Sequence, residues 1–178
     1  KPKILILGAG GRLGAALVRA WSPIAEVHAF GRGEADLSAP GDAAALVRAA
    51  APDVVVNCAA MTNVDVCETE RALAETVNAT APGLIAQAAN AAGGRMVHIS
   101  TDYVFSGDAV KPYAEDDVPQ PVSWYGETKR RGEVAVLAAG EHHAVVRVAW
   151  VFGPDRDSFI DKALQSAMRG EEVRAVAD

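Results

Sequence analysis

The sequence predicts an α/β fold, a Rossmann-like doubly wound parallel sheet with helices on both faces. Three observations point to it. Strand and helix patterns alternate along the chain. The strand segments are short apolar runs rather than alternating ones, as in strands buried on both faces. The first strand runs into a glycine-rich turn that opens a helix. In order, Lys3–Leu7 is an apolar strand ended by Gly8. Residues 11–20 form a helix with Leu13, Leu17 and Val18 at helical spacing. Glu26–Phe30 is the second strand, closed by Gly31-Arg32-Gly33, and Ala39-Pro40-Gly41-Asp42 opens a helix through about Ala50. Asp53–Asn57 is the third strand. One long Ala-rich helix is expected over Glu68–Ala92, ended by Gly93-Gly94. Arg95–Ser100 is the fourth strand, 106–122 a loop punctuated by Pro112, Pro119 and Pro121, and 123–139 a helix ended by Gly140. His143–Ala149 is the fifth strand, 157–169 a helix ended by Gly170, and Glu172–Val176 starts a further strand.

The 178 residues suffice for one domain with a sizeable core, so residues 1–178 are read as a single dinucleotide-binding domain. Half of the residues are hydrophobic and 22% are charged, a balance ordinary for a globular chain. A net charge of −6 argues against nucleic acid or an anionic membrane as partner. No apolar stretch reaches the roughly 18–20 residues of a spanning helix. Lys1-Pro2-Lys3 leads directly into a strand, so no signal peptide is expected. The two cysteines, Cys58 and Cys67, read as reduced thiols of a cytoplasmic protein. No Cys/His cluster has metal-ligand spacing, and no metal is expected.

Gly8-Ala9-Gly10-Gly11-Arg12-Leu13-Gly14 lies between the first strand and the first helix. Small residues there let a backbone approach a pyrophosphate, and the helix N-terminus offers N–H groups and a partial positive charge. Gly8, Gly10, Gly11, Arg12, Leu13 and Gly14 are therefore expected to bind a dinucleotide. The bland alternative is a tight strand-to-helix turn. Cofactor choice falls to the end of the second strand, where Phe30-Gly31-Arg32 holds no acid. Arg32 favours the 2′-phosphate of NADP(H), with NAD(H) left open, since Arg32 could equally be a solvated turn residue and Glu34 adds negative charge nearby. Asp36 and Leu37 could hold the adenine edge, or Asp36 could cap the next element.

Thr101 leaves the fourth strand, and Tyr125 and Lys129 stand four apart on one helix face. A free phenol has a pKa near 10, and a nearby cation lowers it. Lys129 is expected to act in that way on Tyr125. Thr101 would align a substrate carbonyl and Tyr125 would donate the proton while a hydride arrives from the cofactor. The alternative for Tyr-x-x-x-Lys is a surface pair.

With these pieces the chain resembles the extended short-chain dehydrogenase/reductase superfamily and, more closely, the dTDP-4-dehydrorhamnose reductase family. The matching segments include Gly8–Gly14, Asp53–Asp65, Glu68, Ser100-Thr101-Asp102-Tyr103-Val104-Phe105, Tyr113–Asp117, Pro121, Tyr125–Lys129 and Ala149–Gly153. The Ser-Thr-Asp-Tyr-Val-Phe string is the specific part. The resemblance implies NAD(P)H-dependent reduction of the 4-keto group of a nucleotide-activated deoxysugar, a dTDP-sugar, in dTDP-L-rhamnose synthesis. By position, Thr101, Tyr125 and Lys129 correspond to the family's catalytic trio, with Tyr125 and Lys129 also touching cofactor. Ala59, Ala60 and Thr62 would line the cofactor, and Thr101, Asp102, Tyr103 and Trp150 would face the sugar. Trp150 could instead be a core aromatic and Asp102 a loop cap. Related dehydratases read Thr-Asp-Glu where this chain has Thr101-Asp102-Tyr103, which disfavours elimination. Ala16 stands where some members carry a glutamate at a magnesium-bridged dimer contact, which argues against that contact while a homodimer stays open. Family members continue past Asp178 into a part that builds much of the substrate pocket. Rival readings are a non-catalytic NADP-binding regulatory subunit, like the accessory chains of methionine adenosyltransferase, and a sugar-nucleotide epimerase.

Overall fold

A computed structural model describes residues 1–154 and 157–173. Five parallel strands form one sheet: β1 (Lys3–Leu7), β2 (Glu26–Phe30), β3 (Val54–Asn57), β4 (Arg95–Thr101) and β5 (Ala144–Val148). Their spatial order is β2-β1-β3-β4-β5. The order reverses between β1 and β3, the switch point where a crevice opens beyond the strand ends. The register sets Leu7 beside Phe30 on one side and Asn57 on the other, and Asn57 beside His98. The helices are α1 (Arg12–Trp21), α2 (Pro40–Ala50), α3 (Val64–Thr69), α4 (Arg71–Glu75), α5 (Ala81–Ala91), α6 (Trp124–Ala138) and α7 (Phe159–Met168). α2, α5 and α6 pack side by side. Right-handed crossovers put that layer on one face of the sheet and α1 on the other. The expected strand over Glu172–Val176 falls mainly on residues outside the described ones.

The core lies between the sheet and that three-helix layer. Leu5, Leu7, Val55 and Met96 meet Val47, Ile85 and Val136, all fully buried. Each such side chain contributes roughly 1.5–3 kcal/mol by leaving water. Glu133 of α6 is buried and takes a bidentate bond from Arg147 of β5 at 2.8 and 2.7 Å, with Arg130 at 3.0 Å, tying helix to strand. β1 and β3 are buried on both faces as expected, whereas β2 and β5 are partly exposed.

The long helix expected over Glu68–Ala92 is a broken run. α3 starts earlier, at Val64, where Asn63 caps the Val66 N–H at 3.0 Å. Glu70 then leaves helical geometry (φ −103°, ψ 51°). Between α4 and α5 the chain makes a π turn over Thr76–Thr80, closed by the Ala81 N–H on the Thr76 carbonyl. Pro82 follows, so the Asn78 carbonyl has no donor four residues on. That carbonyl instead faces Gly132 of α6, where any Cβ would overlap it. The wider turn aims the Asn78 side chain inward, toward the crevice.

Candidate active site

The glycine turn is shaped by two close approaches. Gly8 has φ +76°, and a Cβ there would stand 2.7 Å from the Ala59 nitrogen. A Cβ at Gly14 would overlap the Gly8 carbonyl oxygen, so α1 can sit this tightly on the turn only with glycine. The Gly8 and Ala9 N–H groups both donate to the Phe30 carbonyl at 3.0 Å, anchoring the turn to β2. Gly10, by contrast, faces open space, with nothing within 4 Å of an added Cβ. Gly11 precedes α1 in extended conformation with no side-chain cap. The turn thus forms a cradle that side chains would fill, under an uncapped helix N-terminus, and both suit a pyrophosphate.

Two clefts meet over this turn. One, of about 650 Å³, runs between Gly8 and Gly10, the Arg32-Asp36-Leu37 edge, and Ala59 and Ala60. The other, of about 570 Å³, holds Arg12, Leu13, Thr62, Thr101, Tyr125, Lys129 and Trp150. Gly11, Cys58 and Ala60 line both, so the two form one crevice across the switch point. At the first end, the exposed Arg32 pairs with Asp36 at 3.5 Å. Asp36 also accepts the Ser38 N–H at 2.9 Å, and that bond first of all holds its carboxyl below the usual range. Glu34 is turned onto the Gly31 N–H at 2.8 Å. Leu37 is buried in the wall. Arg12 donates to the carbonyls of Val151 and Asp157 at 2.9 and 2.6 Å, fastening the chain after β5 over the second cleft. Gly14 lines neither cleft; it works from beneath.

At the second end the predicted trio converges. Thr101, at the end of β4, donates to Asp102 Oδ1 at 2.9 Å and accepts the Tyr103 N–H at 3.2 Å. Ser123 caps α6 by accepting the Gly126 N–H at 3.2 Å, which starts the helix so that Tyr125 and then Lys129 face inward. Both are buried, Lys129 to 1% exposure. Against the expected lowering, burial raises the Tyr125 pKa, opposed by the Thr101 hydroxyl. The Lys129 side chain is directed at the sheet: Nζ donates to the Ile99 carbonyl at 2.7 Å and lies 3.2 Å from His98 Nε2. Burial pushes its pKa down to about 8, against the attraction of Glu133.

Asp102 and Tyr103 lie at the rim. Tyr103 is 46% exposed and meets Tyr125 edge-on at 5.6 Å. Trp150 is no core aromatic: at φ +47° it is 77% exposed and touches Phe159 edge-on at 5.9 Å. Sequence reasoning missed three buried polar residues. Asn78 accepts the Met61 N–H at 2.9 Å and donates to the Met61 carbonyl and the Thr128 hydroxyl, pinning the loop after β3 to α6. Asn57 and His98 stand behind Lys129. Their signal was a polar residue inside an apolar strand, and for Asn78 a proline four residues later.

Comparison with known proteins agrees with this geometry. A dTDP-4-dehydrorhamnose reductase of Burkholderia thailandensis is 43% identical over 99% of this chain and 59% of its own length. A probable dTDP-4,6-dihydroxy-2-methyloxan-3-one 4-ketoreductase of Streptomyces antibioticus is 44% identical over 98% of this chain and 60% of its own. The chain thus spans about three fifths of these relatives. The crystal structure of the Bacillus anthracis dTDP-4-dehydrorhamnose reductase in complex with NADP superposes with a TM-score of 0.92 at 32% identity, over 97% of this chain and 62% of that one. The profile described as RmlD substrate binding domain matches residues 2–178, so the glycine cradle and the Thr-Tyr-Lys crevice sit in a chain that belongs to the RmlD substrate binding domain family.

Proposed function

We propose that this chain is the dinucleotide-binding and catalytic part of an NADPH-dependent reductase acting on the 4-keto group of a dTDP-deoxysugar in the cytoplasm. The observation that carries the reading is the single crevice with Arg32 at one end and Thr101, Tyr125 and Lys129 at the other, joined over Gly11. A dinucleotide laid across it would rest its pyrophosphate on the glycine turn, its adenosine half by Arg32 and Leu37, and its nicotinamide half by Thr62, Tyr125 and Lys129. When bound, the cofactor supplies the hydride. Tyr125, whose pKa burial raises, donates its proton to the carbonyl oxygen. The Thr101 hydroxyl, hinged at Asp102, turns to that same oxygen and fixes its direction. Lys129, anchored on the Ile99 carbonyl beside Tyr125, would hold the nicotinamide half of the cofactor in place. Asp102, Tyr103 and Trp150 at the rim would touch the sugar. The part of the relatives that this chain does not span would complete that pocket.

The test is loss of reduced-cofactor absorbance when a 4-keto dTDP-sugar is added to the whole protein. Tyr125→Phe should lower kcat by about 10²–10⁴-fold while leaving cofactor affinity in place. Turnover unaltered by that change would remove Tyr125 as the proton donor. Cofactor binding without turnover on any keto-sugar would favour the regulatory-subunit reading.

A further inference from the structure

Behind the crevice lies a row of three buried side chains that reduction as outlined does not use beyond its first member. Lys129 Nζ is 3.2 Å from His98 Nε2, and His98 Nδ1 is 3.2 Å from Asn57 Nδ2. His98 and Asn57 are fully buried register partners on β4 and β3. The hydrogen-bond pattern fixes the direction of the row. Asn57 Oδ1 accepts the Ala59 N–H at 3.0 Å, so its amide nitrogen is the atom facing the imidazole. That nitrogen can only donate, which makes His98 Nδ1 an acceptor. A neutral imidazole with an acceptor at Nδ1 carries its proton on Nε2. His98 therefore presents a donor to Lys129. An ammonium has no lone pair to receive it, whereas a neutral amine does and still keeps N–H groups for the Ile99 carbonyl.

We propose that Asn57 and His98 act as positioning residues that hold a hydrogen-bond donor against Lys129 and so govern where its proton resides. It deepens the reductase reading, since Lys129 stands beside the proton donor Tyr125 there. The other groups facing Lys129 are Cys58 after β3, and Tyr125 and Glu133 on α6, with Arg147 of β5 and Arg130 already neutralising Glu133. Glu133 and Cys58 favour the ammonium, burial and the imidazole donor disfavour it, and the balance leaves Lys129 able to take up or release a proton near neutrality. Burial and Lys129 together hold the His98 ring well below its usual range, consistent with a neutral donor.

The experiment is nuclear magnetic resonance of the whole protein without cofactor, with labelled histidine rings and lysine side-chain carbons. The expected spectrum shows His98 protonated on Nε2 at neutral pH, with Lys129 titrating below the other lysines. In His98→Gln the new amide can turn its oxygen to Nζ, and the Lys129 midpoint should rise by about one unit. In Asn57→Asp one carboxylate oxygen keeps the Ala59 bond while the other accepts a hydrogen bond from His98 Nδ1–H; the tautomer reverses and the midpoint again rises. A wild-type ring protonated on Nδ1 would overturn the proposal, as would a Lys129 midpoint unmoved in whichever of the two variants folds. A merely structural histidine would alter stability and leave that midpoint in place. Turnover is not read, so failure here leaves the reductase reading standing.

Discussion

His143 begins the run into β5 and accepts the Met96 N–H on Nδ1 at 2.9 Å while buried. Protonation of that nitrogen would set two donors against each other. Burial lowers its pKa from 6.5, as it does far more strongly for His98. The sign follows. Both rings take up their protons at lower pH when folded than when unfolded, where they do so below about 6.5. Their stabilisation is complete above that pH and is lost as pH falls from it toward the folded values. Denaturant unfolding at a series of pH values should show up to about 1.4 kcal/mol lost per unit for each ring, and His143→Gln should remove one ring's share. Lys129 acts in the other range. Its folded pKa of about 8 lies below 10.5, so the unfolded chain binds the extra proton between those values and wild-type stability gains on Lys129→Met as pH rises from 8 to 10.5. A constant difference between the two across that range would mean that the folded lysine titrates like a free one. The sequence made Tyr125 and Lys129 legible as a pair, because spacing of four puts them on one helix face. It did not reveal their proton states, since those depend on how deeply α6 is buried and on His98 arriving from a strand.

At the scale of elements, the glycine turn separates two roles that the same residue type hides. Gly10 opens onto the crevice, so Gly10→Ala should leave unfolding free energy within about 0.5 kcal/mol of wild type and weaken cofactor binding. Gly14 is clamped under the turn, so Gly14→Ala must push α1 off Gly8 and should cost about 1–3 kcal/mol as well as affinity. Cofactor titration by fluorescence beside thermal melts distinguishes the two. β1 and β3 were readable because a strand buried between layers is mostly apolar, as in Ile4–Leu7 and Val54–Val56. The broken helix was not. Its Ala-rich run satisfies helical periodicity throughout, and what divides it is tertiary: Asn78 reaches Met61 and Thr128, and only a glycine at 132 leaves room for its carbonyl. The residues gathered at the switch point were legible where a motif named them. Asn78, Asn57 and His98 carry no motif, only the anomaly of polarity where burial is expected.

Across the whole molecule, the crevice links cofactor choice to folding stability. A ligand that binds only the folded chain adds RT ln(1 + [L]/Kd), about 2.7 kcal/mol at a hundredfold excess over Kd. The far end of the crevice then decides which dinucleotide does so better. Arg32 is exposed and held at 3.5 Å from Asp36, a contact worth little in water and easily exchanged for a phosphate. Asp36 has a second partner in the Ser38 N–H and does not need the arginine. We therefore expect NADPH to raise the melting temperature of the whole protein more than NADH at equal concentration, and Arg32→Ala to erase the difference by weakening NADPH alone. Asp36→Asn tests the competition directly: with the carboxylate gone, Arg32 should widen the preference for NADPH. Equal shifts with both dinucleotides in wild type and in Arg32→Ala would show that the 2′-phosphate stays in solvent and that the adenosine end of the crevice does not read it.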